Sequence, residues 1–335
     1  MSIGRLKSKT ALITGSSSGL GRAIAIRYAC EGANICCVDL YPTPRNMISP
    51  STGKEDRLEN RAATGATHEI LRDMFSYDKD RNDRFIFVKA DMSVPAEAGN
   101  AVAQCVQAFG RLDIMVNNAG VIVESQHERP LMCHETSEED YDLTMRVNAK
   151  GVFLGCKYAC KQMLDQELWP RLRNDGVEDG SQMEGDRGWI INTASVSAMV
   201  ASEGAPSYCA SKGAVVMLTR QIALDYAKWR IHCNALCPGC ESPITPVLLS
   251  IQMNRITKHQ LVQIKWLTPG IVLHTTMTQN LRANPDALAA TNAAHPFGGM
   301  GNVDDVARAA VFLASEDVRW VTGVALPVDG GYRVR

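Results

Sequence analysis

Thr14-Gly15-Ser16-Ser17-Ser18-Gly19-Leu20-Gly21 is the stretch on which the fold turns. It follows an apolar run, Lys9–Thr14, and leads into Leu20–Glu31, whose apolar residues recur at helical spacing. Glycines at such a junction let the backbone turn tightly and approach a pyrophosphate, whose charge the helix N-terminus stabilises. The spacing G-x-x-x-G-x-G is a variant of the dinucleotide fingerprint, and Gly15, Ser17, Ser18, Gly19, Leu20 and Gly21 are expected to line the phosphates. An ordinary tight loop can carry the same glycines, so the weight comes from their place between strand and helix. Asp39 ends the next apolar run, 18 residues beyond Gly21. A carboxylate there can accept hydrogen bonds from both ribose hydroxyls and would repel a 2′-phosphate, which favours NAD and leaves NADP as the alternative.

Outward from this unit the pattern repeats. Lys9–Thr14, Asn34–Val38, Phe85–Lys89, Leu112–Val116, Gly188–Thr193, Ile231–Leu236 and Gly323–Val328 are β-branched or aliphatic runs bounded by turn residues, and are expected as strands. Leu20–Glu31, Pro95–Phe109, Glu138–Leu164, Ser207–Trp229 and Val303–Ala314 have helical spacing. Such alternation, with strands apolar on both faces, predicts an α/β fold: one Rossmann-type, doubly wound parallel sheet flanked by helices, a single domain over residues 1–335. Three segments interrupt it and are expected as insertions: about 41–84, polar and with room for a short helix; 166–187, rich in glycine and acids; and 240–270.

Composition narrows the function. The 335 residues are 45% hydrophobic, enough for a sizeable core, and 35 basic residues balance 36 acidic ones. No basic footprint points to nucleic acid or to an anionic membrane surface. No uncharged apolar run reaches the ~18 residues of a membrane span, and the N-terminus lacks a signal-peptide core. Eleven scattered cysteines then fit reduced thiols in the cytoplasm.

Tyr208-Cys209-Ala210-Ser211-Lys212 opens a predicted helix. Residues i and i+4 share a helix face, so phenol and ammonium can meet one ligand. A free tyrosine titrates near 10; an adjacent cation favours phenolate and lets it exchange a proton with a carbonyl or alcohol oxygen at neutral pH. Tyr-x-x-x-Lys is by itself a common accident of an exposed helix. Ser195, 13 residues earlier and just past a predicted strand, supplies a hydroxyl for the same oxygen.

Taken in order, Thr14–Gly21, Asn117-Asn118-Ala119-Gly120, Asn148, Ser195, Tyr208, Lys212, Cys237-Pro238-Gly239 and Asp329-Gly330-Gly331 resemble the motifs of the short-chain dehydrogenase/reductase family. The resemblance covers most of the chain outside the three insertions. It implies that Tyr208 is the general acid/base, that Lys212 binds the nicotinamide ribose and assists the phenol, and that Ser195 holds the substrate oxygen. It also implies that Asn148 supports a proton-relay water, Asp91 faces the adenine, and Asn118, Ala119, Gly120, Pro238 and Gly239 line the cofactor. No metal is implied. The implied reaction is hydride transfer between NAD(P) and a secondary alcohol or ketone, in a homodimer or homotetramer built on Glu138–Leu164 and Ser207–Trp229, with a tailoring step of specialised metabolism as the setting suggested by analogy. Two readings compete: a cofactor-retaining epimerase or dehydratase, and an inactive cofactor-binding sensor or scaffold.

The segment after Gly239 departs from the family pattern. Pro-Gly occurs at Pro238-Gly239 and again at Pro269-Gly270, and excising Cys240–Gly270 would restore a family-like loop. On that spacing Ile271 with Thr275 or Thr276 is favoured over Ile244-Thr245-Pro246 to meet the nicotinamide amide. The excess is expected to be either an extended substrate lid or sequence added by an alternative gene model. The pocket is expected in Val121–Glu138, Met199–Pro206 and this loop, with Met199, Val200 and Ala201 favouring a ring-bearing or hydrophobic ketone over a sugar. Cys237 and Cys240 form a C-x-x-C with no second pair, so an ordinary motif position is favoured over redox or zinc chemistry. Cys156 and Cys160 are expected in the core, and His127 and His134 in solvated loop.

Overall fold

A computed structural model describes residues 4–44, 64–76, 83–127, 129–169, 185–239 and 285–334. Among these residues seven strands form one sheet: β1 (Thr10–Thr14), β2 (Asn34–Asp39), β3 (Phe85–Lys89), β4 (Ile114–Asn117), β5 (Gly188–Thr193), β6 (Ile231–Pro238) and β7 (Ala325–Val328). Their order is β3-β2-β1-β4-β5-β6-β7 and every neighbouring pair is parallel. The helices are α1 (Gly19–Cys30), α2 (Thr67–Met74), α3 (Pro95–Phe109), α4 (Glu138–Thr144), α5 (Gly151–Leu164), α6 (Pro206–Tyr226), α7 (Pro285–Ala293) and α8 (Val303–Ala314). This is the doubly wound Rossmann-type sheet expected from the alternation. Among the described residues no helix is long and apolar enough to cross a membrane.

Strand periodicity divides the core. In β1, Ala11 and Ile13 point to one face, where Ile24 of α1, Leu71 of α2 and Val306 and Ala310 of α8 cover them. Leu12 points to the other, against Val102 of α3, Leu154 of α5 and Val215 of α6. On the first face α1 is tied to α8 by the Tyr28 hydroxyl, which donates to the Ala310 carbonyl at 2.8 Å, and by the Arg27–Asp304 ion pair. Strand order reverses between β1 and β4, and ligands of open α/β sheets bind beyond the strand C-termini at such a switch point.

Several element ends lie one to three residues from expectation, and three departures show their cause. The fourth strand begins at Ile114 because the Leu112 N–H and C=O are bonded by the Gln166 side chain (3.2 and 2.7 Å) rather than by a neighbouring strand. The last begins at Ala325: Gly323, at φ +75°, leaves the extended conformation, although its N–H still donates to the Cys233 carbonyl of β6 at 2.8 Å. Glu138–Leu164 is not one regular helix: Met145–Lys150 forms a π-helical turn between α4 and α5. Asn148 lies in that turn, and such interruptions are frequent at functional sites.

Within about 41–84 the expected short helix is α2. Segment 166–187 is described at its ends only. Segment 240–270, with Ile271, Thr275, Thr276 and the alternative Ile244-Thr245-Pro246, lies outside the described residues.

Candidate active site

The glycine-rich turn leaves the C-terminus of β1. Gly15 and Gly19 have φ of +65° and +53°, conformations that side chains rarely tolerate. A Cβ on Gly21 would lie 2.1 Å from the Gly15 oxygen, and one on Gly15 would lie 2.9 Å from Ala119 Cα. Ser18 is the N-cap of α1, yet its side chain makes no capping bond, and the first-turn N–H groups have no intrahelical acceptor. The turn therefore fits a pyrophosphate: close backbone, spare donors and the positive end of a helix.

Asp39, at the end of β2, accepts the Ser17 N–H at 3.0 Å and the Leu40 N–H at 2.7 Å. The Ala90 N–H donates to the Asp39 carbonyl, so Asp91 lies just beyond, its carboxylate accepting from Ser93 N–H at 2.9 Å. Below the turn, Arg22 is 1% exposed and donates to the carbonyls of Ser17 and Gly65 and to Thr67 Oγ1; that hydroxyl donates to the Ser16 carbonyl. Burial lowers the Arg22 guanidinium to about 10.

A second chain of bonds crosses the sheet. Thr14 Oγ1 accepts the N–H groups of Asn118 and Ala119, both at 2.9 Å. Asn118 Nδ2 returns to the Thr14 carbonyl at 3.1 Å, and Thr193 Oγ1 donates to Asn118 Oδ1 at 3.4 Å. Lys212 Nζ, buried, donates to the Thr193 carbonyl at 2.9 Å and lies 5.5 Å from the centroid of the Tyr208 ring. A Cβ on Gly120 would stand 3.1 Å from Asn148 Oδ1 and 3.5 Å from Lys212 Nζ. The ends of β1, β4 and β5 and the first turns of α6 thus bring Gly15, Asn118, Ala119, Gly120, Asn148, Tyr208 and Lys212 together.

Asn148 is fixed within this cluster, and Ser195, Pro238 and Gly239 lie at the ends of β5 and β6. Asn148 exchanges both amide groups with Val121 (2.8 Å each) and donates to Ser211 Oγ at 3.0 Å. Ser195, next after Ala194 beyond β5, accepts the Ser197 N–H at 3.1 Å on its Oγ. Pro238 ends β6, and the Gly239 N–H donates to the Val328 carbonyl of β7.

Electrostatics follow from burial. Desolvation lowers Lys212 to about 8, against the opposing pull of Cys237. Cys237 is itself pushed up to about 11 by burial, which removes the thiolate a redox C-x-x-C would need; Cys240 lies outside the described residues. Cys156 and Cys160 are core thiols as expected, while His127 and His134 are exposed.

Glu124 is the side chain that sequence reasoning missed. It lies in a 3₁₀ turn, Val123–Gln126, is 8% exposed, and its Oε1 accepts the Tyr208 N–H at 3.0 Å. One signal was available, a lone acid directly after Val121-Ile122-Val123. The two expected substrate segments also meet: a Cβ on Gly204 (φ +66°) would lie 2.3 Å from Pro130 Cβ.

With this geometry in view, residues 60–252 match the family model described as short chain dehydrogenase, and residues 255–333 one described as enoyl-(acyl carrier protein) reductase. The chain is 32% identical to the 2-(R)-hydroxypropyl-CoM dehydrogenase of Xanthobacter autotrophicus, over 97% of this chain and 98% of that protein. It is 30% identical to the 2,5-dichloro-2,5-cyclohexadiene-1,4-diol dehydrogenase of Sphingobium indicum, over 98% of each. Its fold matches a crystal structure of a short-chain type dehydrogenase/reductase from Mycobacterium marinum with a TM-score of 0.68 at 22% identity, covering 99% of this chain and 98% of that one.

Proposed function

The chain belongs to the short-chain dehydrogenase family and is an oxidoreductase of it, and from that premise we propose that it interconverts a secondary alcohol and a ketone with NAD(H). The observation that carries the reading is the pairing of Tyr208 with Lys212, whose buried Nζ is fixed on Thr193 beside Gly120. When bound, the nicotinamide supplies or accepts the hydride. The chain holds that group against Gly15–Gly21, Asn118, Ala119, Gly120, Pro238 and Gly239. Tyr208 exchanges the proton with the substrate oxygen, and the Lys212 ammonium favours its phenolate. Ser195 Oγ donates to the same oxygen while its lone pair stays on the Ser197 N–H. Asn148 keeps Val121 and Ser211 in place with its amide, so support of a relay water falls to its backbone carbonyl in the π turn.

Two observations support NAD over NADP. The Asp39 carboxylate stands at the mouth of the turn on Ser17. The cation closest in sequence, Arg22, is buried and committed to Ser17, Gly65 and Thr67, so it does not offer its charge to a 2′-phosphate. Met199 and Val200, half-buried beside Ser195, support an apolar substrate. Phe153, Met217 and Leu224, exposed at 48%, 61% and 76% on α5 and α6, support a homo-oligomer through those helices.

Titration of the protein with NADH and NADPH, followed by nicotinamide fluorescence, tests the cofactor reading. Tight NADH and weak NADPH binding is expected; preference for NADPH would overturn Asp39 as selector, and binding of neither would overturn the reading as a whole.

A further inference from the structure

The helix that carries Tyr208 and Lys212 starts without a cap of its own. Its N-cap is Ala205, which has no side-chain oxygen, and its first residue, Pro206, brings no N–H. The Tyr208 N–H is satisfied from a distant segment, by Glu124 Oε1 at 3.0 Å. Glu124 Oε2 is buried and has no hydrogen-bond partner, and no ion pair of Glu124 occurs among the described residues. Among the described residues, the group that faces its charge is the α6 N-terminus.

We infer that Glu124 is a positioning residue for the proton-transfer pair: its carboxylate clamps the first turn of α6 through the Tyr208 N–H and places a negative charge at the residue that bears the phenol, opposing Lys212. The inference rests on the reading of Tyr208 as the proton-transfer group. Among the described residues, the charges on α4 and the π turn are screened or paired. From the packed α4 and π segment, Glu138, Glu139, Asp142, Arg146 and Lys150 are exposed, where water screens them. Half-buried Asp140 lies 3.5 Å from His127. From β6, Cys237 interacts with Lys212 and is held as a neutral thiol by burial. The Val121 amides are fixed by Asn148, three residues before Glu124, so one short segment is pinned to both the π turn and α6.

Glu124→Gln keeps an oxygen for the Tyr208 N–H and removes the charge. The test is a phenolate absorbance titration of the full chain and of Glu124→Gln, each with its Tyr208→Phe counterpart subtracted so that only Tyr208 is read. The Tyr208 midpoint is expected to fall by roughly half a pH unit in Glu124→Gln, since a neighbouring negative charge disfavours phenolate. An unchanged midpoint, with at most a lower melting temperature, would make Glu124 a structural cap and overturn the inference. If Glu124→Gln does not fold, Glu124→Ala removes the same charge without burying an amide and is read by the same criterion. The titration needs no turnover, so a protein inactive on every alcohol would defeat the proposed function while leaving this result to stand or fall by itself. With an active substrate, Glu124→Gln is expected to change kcat several-fold and KM little.

Discussion

Lys212 shows what burying a cation costs. Its ammonium is buried beside β5, and desolvation lowers it from 10.5 to about 8. Between those two values the unfolded chain binds more protons than the folded one, so the burial penalty is present in full below about pH 8 and fades as pH rises toward 10.5. Lys212→Met is thus expected to abolish turnover yet stabilise the fold near neutral pH by about 1–3 kcal/mol, less the lost bond to Thr193. Denaturant melts at pH 7 and pH 10 check this: the advantage of the variant should shrink at the higher pH. Asp39 makes an equally local prediction. Asp39→Ser removes the carboxylate from the turn and is expected to raise NADPH affinity relative to NADH by about tenfold or more. Paired fluorescence titrations would show no change in ratio if Asp39 were only a strand-end acid.

At the scale of elements, the strands and helices that carry the site were legible because each is locally decisive. Phe85–Lys89, Gly188–Thr193, Pro95–Phe109 and Val303–Ala314 keep the bounds their apolar spacing implies. The misread ends turn on partners remote in sequence. Nothing in Leu112 announces that Gln166 will take its backbone bonds, and the π turn at Met145–Lys150 leaves the helical spacing intact while it redirects Asn148. The site shows the same division. Gly15, Tyr208 and Lys212 are legible from chemistry at short spacing, whereas Glu124 meets Tyr208 across 84 positions and Arg22 meets Gly65 across 43. Arg22 joins α1, the turn and the segment before α2, so Arg22→Met should strand the Gly65 and Ser17 carbonyls and cost about 2–4 kcal/mol. Urea unfolding of the variant measures it; a loss below ~0.5 kcal/mol would show that the link carries little.

For the whole molecule, the parallel sheet sets two ends to different tasks. The C-terminal edges of β1, β4, β5 and β6 hold the candidate site, while the opposite edge buries charge. There Lys9 is 2% exposed with Nζ 3.4 Å from the Trp189 ring centroid, and Asp186 pairs with Arg230 and with His232. Burial lowers Lys9 to about 8 as well, so this edge adds to the gain in stability above that pH. The flanks carry the assembly prediction: the Met217→Glu/Leu224→Glu double variant is expected to turn an oligomer into monomer by light scattering after gel filtration. An oligomer unaffected by both charges would place its interface elsewhere.

The central claim, that this chain transfers hydride with Tyr208 moving the proton, is tested most directly by one comparison. Formation of reduced nicotinamide from NAD and a panel of apolar secondary alcohols would be followed for the native chain and for Tyr208→Phe, with NADH binding measured for both. We predict turnover by the native chain, a loss of about 10²–10⁴-fold in Tyr208→Phe, and NADH affinity that is little changed. Turnover that survives Tyr208→Phe would contradict the account.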